Sequence, residues 1–163
     1  MLTVNQIGGL LLKSLDETGR FSGYASVFNV LDAQREMVAP GAFYTSLKQW
    51  EQRGRTPSLL WQHHMDCPIG HWETLREDKH GLWGEGRLLM SIQKAQEAYE
   101  LLKAGAVRGL SIGFRPIHAA MNPKTKIRTH YQVDLVEISL VTLPANREAQ
   151  IQNIKKVSNY SFS

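Results

Sequence analysis

Gly109-Leu110-Ser111-Ile112-Gly113-Phe114-Arg115-Pro116 is the stretch on which the fold of this chain turns. A serine between two glycines fits two incompatible folds. In the nucleophile elbow of α/β-hydrolases the serine sits on a sharp strand-to-helix turn and is followed along the chain by an acid and then a histidine. Here the last histidine, His130, precedes both Asp134 and Glu137, so that order cannot be built from these acids. The residues after the serine are apolar and end in Pro116, which favours extended chain over the start of a helix. Val107 to Ile117 therefore reads as a strand that carries Ser111 on one face. The plain alternative is a small residue in a closely packed strand, with the glycines marking a bulge.

Outward from this strand, punctuation and periodicity divide the chain. Downstream, a polar connection around Asn122-Pro123-Lys124-Thr125-Lys126 leads to a second long strand, Thr129 to Leu143. An amphipathic helix from Arg147 to Val157 and a frayed tail, Ser158 to Ser163, follow. Upstream, Ser91 is placed as the N-cap of a helix from Ile92 to about Ala104, with Ala95, Ala98, Leu101 and Leu102 at helical spacing and Gly105 as its stop. Ile69 to Leu75 and Gly81 to Met90 form a hairpin across Arg76-Glu77-Asp78-Lys79-His80, with Trp72, Leu82 and Trp83 in its core. Ser58 to His63 is the strand before it. Pro40-Gly41 begins a helix through about Arg53 that puts Phe43, Leu47 and Trp50 on one face. Leu10 to Leu15 and Phe21 to Phe28 open the chain as a hairpin. The sum is an α+β domain spanning 1–157, a largely antiparallel sheet closing into a barrel with flanking helices.

Bulk properties narrow the function. A chain of 163 residues, 42% of them hydrophobic, suits one domain with a sizeable core. The net charge of +4 favours acidic partners, yet the basic residues are dispersed along the sequence, so no specific nucleic-acid binding is expected. Cys67 is the single cysteine, and no secretory signal or bilayer-length apolar run is visible, so a soluble intracellular protein is expected.

A serine hydroxyl needs a base to take its proton and a site to receive the developing oxyanion. His63 and His64, in Leu59-Leu60-Trp61-Gln62-His63-His64, are the candidate bases. On an alternating strand only one of the two can face the site. Glu137 lies among Leu135, Val136, Ile138 and Leu140, where an ionised carboxylate is costly unless paired, and a histidine partner would explain it. Asp134, nearer the polar end of the strand, is the second candidate acid, and Arg108, Arg115 or Lys103 are alternative structural partners for Glu137. His63, His64, Cys67 and His71 include ligand types that suit zinc, but their spacing matches no paired knuckle, and no metal is expected.

Blocks along the chain resemble the prohead proteases of tailed bacteriophages, a family related to herpesvirus assemblins. The resemblance runs from about Gly23 to Ile151. It is carried by Gly23-Tyr24-Ala25-Ser26-Val27-Phe28, Leu60-Trp61-Gln62-His63 with Pro68-Ile69-Gly70, and Gly81-Leu82-Trp83-Gly84-Glu85-Gly86. It continues through Leu101-Leu102-Lys103-Ala104-Gly105 into the Ser111 stretch, and then Asp134 to Asn146. Each block alone is weak, and their shared order carries the resemblance.

The resemblance implies a herpesvirus-protease-like fold with Ser111 as nucleophile, His63 as base and Glu137 as third member. His64 stands where the family has an acidic or polar residue. By likeness to assemblins, the oxyanion donors would be backbone N–H groups after Pro144, at Ala145 or Asn146. The implied activity is a serine endopeptidase, without cofactor, that cuts the scaffolding part of a phage capsid protein, and itself. The implied place is the assembling prohead in the bacterial host cytoplasm. Implied partners are capsid protein, portal and other protease copies in a homo-oligomer. A catalytically silent scaffold-binding module and a small-molecule esterase are the rival readings.

Overall fold

The computed structural model describes residues 3–5 and 18–144. In chain order these form β1 (Thr3–Asn5), β2 (Arg20–Val27), β3 (Glu36–Val38), α1 (Tyr44–Gln52), β4 (Ser58–Trp61), β5 (His64–Glu77), β6 (Gly81–Leu88), α2 (Gln93–Lys103), β7 (Gly109–Met121) and β8 (Arg128–Val141). The strands make one curled sheet in the order β1-β7-β8-β4-β5-β6-β2, with β3 also paired to β8. The Ser111 stretch is strand, as its Pro116 and apolar run predict. Among the described residues five of the seven strand pairings are antiparallel, and the expected closure into a barrel needs correction. Among the described residues the order is an open path, and β3 and β4 both run parallel to β8.

β8 is the spine because both of its edges are satisfied along almost its whole length. β7 pairs with one edge from Gly109↔Val141 to Met121↔Arg128. On the other edge β3 serves Arg128 to His130, and the Ala42 carbonyl then accepts from Val133 N–H at 3.1 Å. Ser46 Oγ next accepts from Leu135 N–H at 2.9 Å, Trp50 Nε1 donates to Leu135 O at 2.8 Å, and β4 takes over from Glu137 to Leu140. α1 thus lies where no strand pairs, and its polar atoms supply the bonds a buried backbone requires.

The core fills the concave side. Leu110, Ile112 and Phe114 of β7 meet Val133, Leu135, Ile138 and Leu140 of β8, all buried. α2 closes over the sheet with Ala95, Ala98, Tyr99 and Leu102, buried at spacings of three, one and three. A helix period places these on one face.

Several local expectations shift. α2 begins one residue later than expected with Ile92 at its N-cap and no side-chain cap, so Ser91 does not cap it. Pro40 to Phe43 precede α1 as turns rather than helix. Trp72 and Leu82 are core, but Trp83 is only half-buried. It stacks edge-on against Tyr24 at 5.0 Å on the outer face of β6. β4 ends at Trp61, so His63 is not on a strand. The expected strand Leu10–Leu15, the helix Arg147–Val157, the tail Ser158–Ser163 and Ala145 and Asn146 lie outside the described residues.

Candidate active site

The register of β7 on β8 makes the first part of the site. Ser111 faces Ser139, and Gly113 faces Glu137. These side chains share the face opposite to the core residues Ile112 and Ile138, since strand neighbours alternate. Glu137 reaches that face through a bulge. Gly113 pairs with Glu137 but Phe114 pairs with Leu135, so Val136 is the extra residue on β8. Without it, Glu137 would share the face of Leu135 and point into the hydrophobic core. A bulge re-aims a side chain in this way.

The glycines flanking Ser111 clear space on the same face. A Cβ at Gly113 would lie 2.9 Å from Glu137 Cδ and Cγ and closer still to Oε1. At Gly109 it would lie 2.7 Å from Pro144 Cδ and 2.9 Å from Val141 Cγ2. Gly113 thus makes room for the carboxylate, and Gly109 for the chain leaving β8.

His63 arrives from β4. Trp61 pairs with His64, so Gln62 and His63 are the two central residues of a tight hairpin turn between β4 and β5. Both have positive φ, 51° and 62°. A twist-matched two-residue hairpin turn demands this, and non-glycine residues adopt it at a cost. Bonds to β8 hold the turn. Gln62 N–H donates to Leu140 O at 2.9 Å, Gln62 Nε2 donates to Thr142 Oγ1 at 2.7 Å, and Thr142 N–H donates to Gln62 Oε1 at 3.3 Å. His63 N–H donates to Ser139 Oγ at 3.0 Å.

The side chains then form a continuous line. His63 Nε2 is 2.7 Å from Ser111 Oγ, and His63 Nδ1 is 2.5 Å from Glu137 Oε1. Ser139 Oγ donates to Glu137 Oε2 at 2.6 Å. An ionised carboxylate only accepts, so the Nδ1 proton points at Glu137 and the Nε2 lone pair is left for the Ser111 hydroxyl. Glu137 is 1% exposed, and a buried charge without partners is costly. Here both oxygens are bonded. The arrangement can deprotonate Ser111 as it attacks and stabilise the imidazolium that results.

Of the sequence candidates, His63, Ser111 and Glu137 converge. His64 is exposed at the start of β5. Asp134 pairs instead with Arg115 at 3.2 Å, and Lys103 lies 3.6 Å from Glu100. Arg108 Nε donates to Gly105 O. None of the three basic residues offered as partners for Glu137 is its ion-pair partner among the described residues. There, no three His, Cys, Asp or Glu side chains are grouped to hold a metal, and no helix is long and apolar enough to cross a membrane. Sequence reasoning missed Ser139 and Gln62. Ser139 was findable, because on a strand it shares a face with Glu137 two residues away.

The family model of caudovirus prohead serine proteases matches residues 10–162. The chain belongs to this family. The prohead protease of Enterobacteria phage HK97 is 34% identical over 142 residues, 85% of this chain and 61% of that protein. The capsid polyprotein of Pseudomonas phage PAJU2 is 34% identical over 164 residues, 96% of this chain and 23% of that one. The chain thus spans less than two thirds of either relative. The prohead protease of Escherichia phage T5 is 25% identical over 157 residues, 93% and 73% of the two chains. The structure of the bacteriophage T4 capsid assembly protease, gp21, matches with a TM-score of 0.63 over 88% of this chain and 98% of that one, at 11% identity. This chain and gp21 therefore share a fold.

Proposed function

We propose that this protein is a serine endopeptidase that cuts the scaffolding part of a phage capsid precursor, and itself, within the assembling prohead in the bacterial host cytoplasm. The line from Ser111 through His63 to Glu137 carries this reading. As Ser111 Oγ bonds to the scissile carbonyl carbon, its proton moves to His63 Nε2. The imidazolium, held by Glu137, gives that proton to the amine as the C–N bond breaks, leaving an acyl ester on Ser111. Water, deprotonated by the same nitrogen, hydrolyses the ester and restores the serine. The oxyanion donors are assigned to Ala145 and Asn146. Support comes from Pro144, the residue before them, which sits against Gly109, two residues from Ser111.

Family membership and the capsid polyprotein relative favour capsid precursor, portal and further copies of the chain as partners. The strand-borne serine and upstream histidine support kinship with herpesvirus assemblins. Co-expression with the cognate capsid precursor tests the reading. Ser111→Ala and His63→Ala should each lower cleavage by about 10⁴-fold or more, while His64→Ala leaves it. Cleavage that survives Ser111→Ala overturns the assignment.

A further inference from the structure

Beyond Phe114, β7 passes from the core to the surface. Gly109 to Phe114 are buried, and every residue from Arg115 to Met121 is exposed. Among the described residues, β1 covers the outer edge of β7 from Ile112 to Phe114. With the facing part of β8, which β3 backs from Arg128 to His130, and the turn at 122–127, this segment forms an arm exposed along its β7 side.

The arm holds the charge imbalance of the molecule. Residues 115–131 contain four Lys and Arg and no Asp or Glu, and the whole chain has a net charge of +4, so the remainder is neutral. Summed over the rest of the chain, the basic and acidic residues cancel. Arg115 and Arg128 are partly offset by Asp134 and Glu36, at 3.2 Å and 3.8 Å. Lys124 and Lys126, at the tip, have no such ion pair among the described residues.

The arm is also apolar and stiff. Ile117, Met121 and Tyr131 are 51%, 49% and 55% exposed. Asn122 Oδ1 accepts from the Lys124 and Thr125 N–H groups at 2.9 and 3.2 Å, and the Arg35 guanidinium donates to Thr125 O at 2.6 Å. A tip already ordered loses little entropy on binding. Its outer edge is poorly suited to adding a strand, because Pro116 lacks an N–H and the register shifts on either side of His118. A partner is therefore held by side chains.

We propose that this arm is a docking surface, apart from the catalytic face, for an acidic amphipathic segment of the protein substrate. The identity of that substrate rests on the proposed function. The cations at the tip would meet carboxylates, and Ile117, Met121 and Tyr131 the apolar side of the segment. A nucleic-acid backbone would use the cations but leave these apolar groups without a partner.

The test uses the cognate capsid precursor as probe. Its affinity for the uncut-complex variant Ser111→Ala is measured with and without Lys124→Glu and Lys126→Glu, and separately with Ile117→Ser and Met121→Ser. In an active chain, KM for the precursor and the rate of phosphonate labelling of Ser111 are followed. Charge reversal should weaken binding and raise KM about fivefold or more, an effect that fades between about 0.1 M and about 1 M salt. The apolar pair should weaken binding at all salt concentrations, and labelling should not change in either pair. Unchanged affinity and KM overturn the docking surface while leaving the protease reading intact. Weakened binding in a chain that cuts nothing keeps the surface and overturns the protease reading. Displacement of the precursor by a short single-stranded DNA bound through the same lysines overturns the choice of an acidic protein segment.

Discussion

At the scale of single residues, Gly113 is as specific to this site as the serine it accompanies. Its missing Cβ is the space that the Glu137 carboxylate occupies. Gly113→Ala should force that carboxylate away from His63 and lower kcat roughly 10- to 100-fold, since about an ångström of misplacement costs that much. Circular dichroism and a melting curve check that the fold remains, and wild-type kcat in a folded variant would refute this role. Chain order excluded the elbow and a buried acid demanded a partner, but the residues alone left His63 and His64 both open, and the choice of Ser111, His63 and Glu137 rested on the resemblance to prohead proteases. Ser139 was visible only as a residue two places from Glu137. The clearance at Gly113 was not visible, because the same glycine pattern marks bulges, elbows and tight packing alike.

At the scale of elements, the turn between β4 and β5 is a strained two-residue device held down by β8. Asn-Gly is the usual signal for such a turn, and Gln62-His63 gives no hint of it. That is why His63 read as strand. With Gln62 bonded to Thr142 in both directions, the turn presents His63 at a fixed height over Ser111. Gln62→Ala should lower kcat about tenfold with little change in KM. Thr142→Val should act similarly, and the double variant should be no worse than the poorer single one, as expected for one shared interaction. Fully additive losses would show that the two act separately. The bulge at Val136 left no sequence trace either, because the apolar residues on both sides of Glu137 carry no period that marks an extra residue. The helix α2, by contrast, was legible from its spacing of small and apolar residues.

At the scale of the whole molecule, the strands of β5 to β8 could be read from turns and apolar runs. The parallel pairing of β4 with β8 could not, since it joins residues about eighty positions apart and imposes no period. Three residues of β3 are too few to register. The buried base of this structure is also a pH-sensitive element. His130 lies fully buried against Phe114, with Glu36 Oε1 3.4 Å from its Nε2. Burial lowers its pKa from the usual 6.5, more than Glu36 and Asp32 raise it, and Arg128 lowers it further. The unfolded chain therefore binds the proton more readily, so stability rises with pH through this window and falls as pH drops below the usual value. Burial raises the pKa of Asp32, which acts in the opposite sense. Comparing wild type with His130→Phe isolates the histidine. Urea midpoints at about pH 7.5 and about pH 5.5 should differ less in the variant, and an equal difference would refute the role. The parallel β4–β8 pairing has one more consequence, in time rather than space. Hairpins form early and distant parallel pairings late. A chain with β7 and β8 paired but β4 undocked holds its nucleophile and acid with no base between them. On that order of events the line from Ser111 through His63 to Glu137 is completed late in folding.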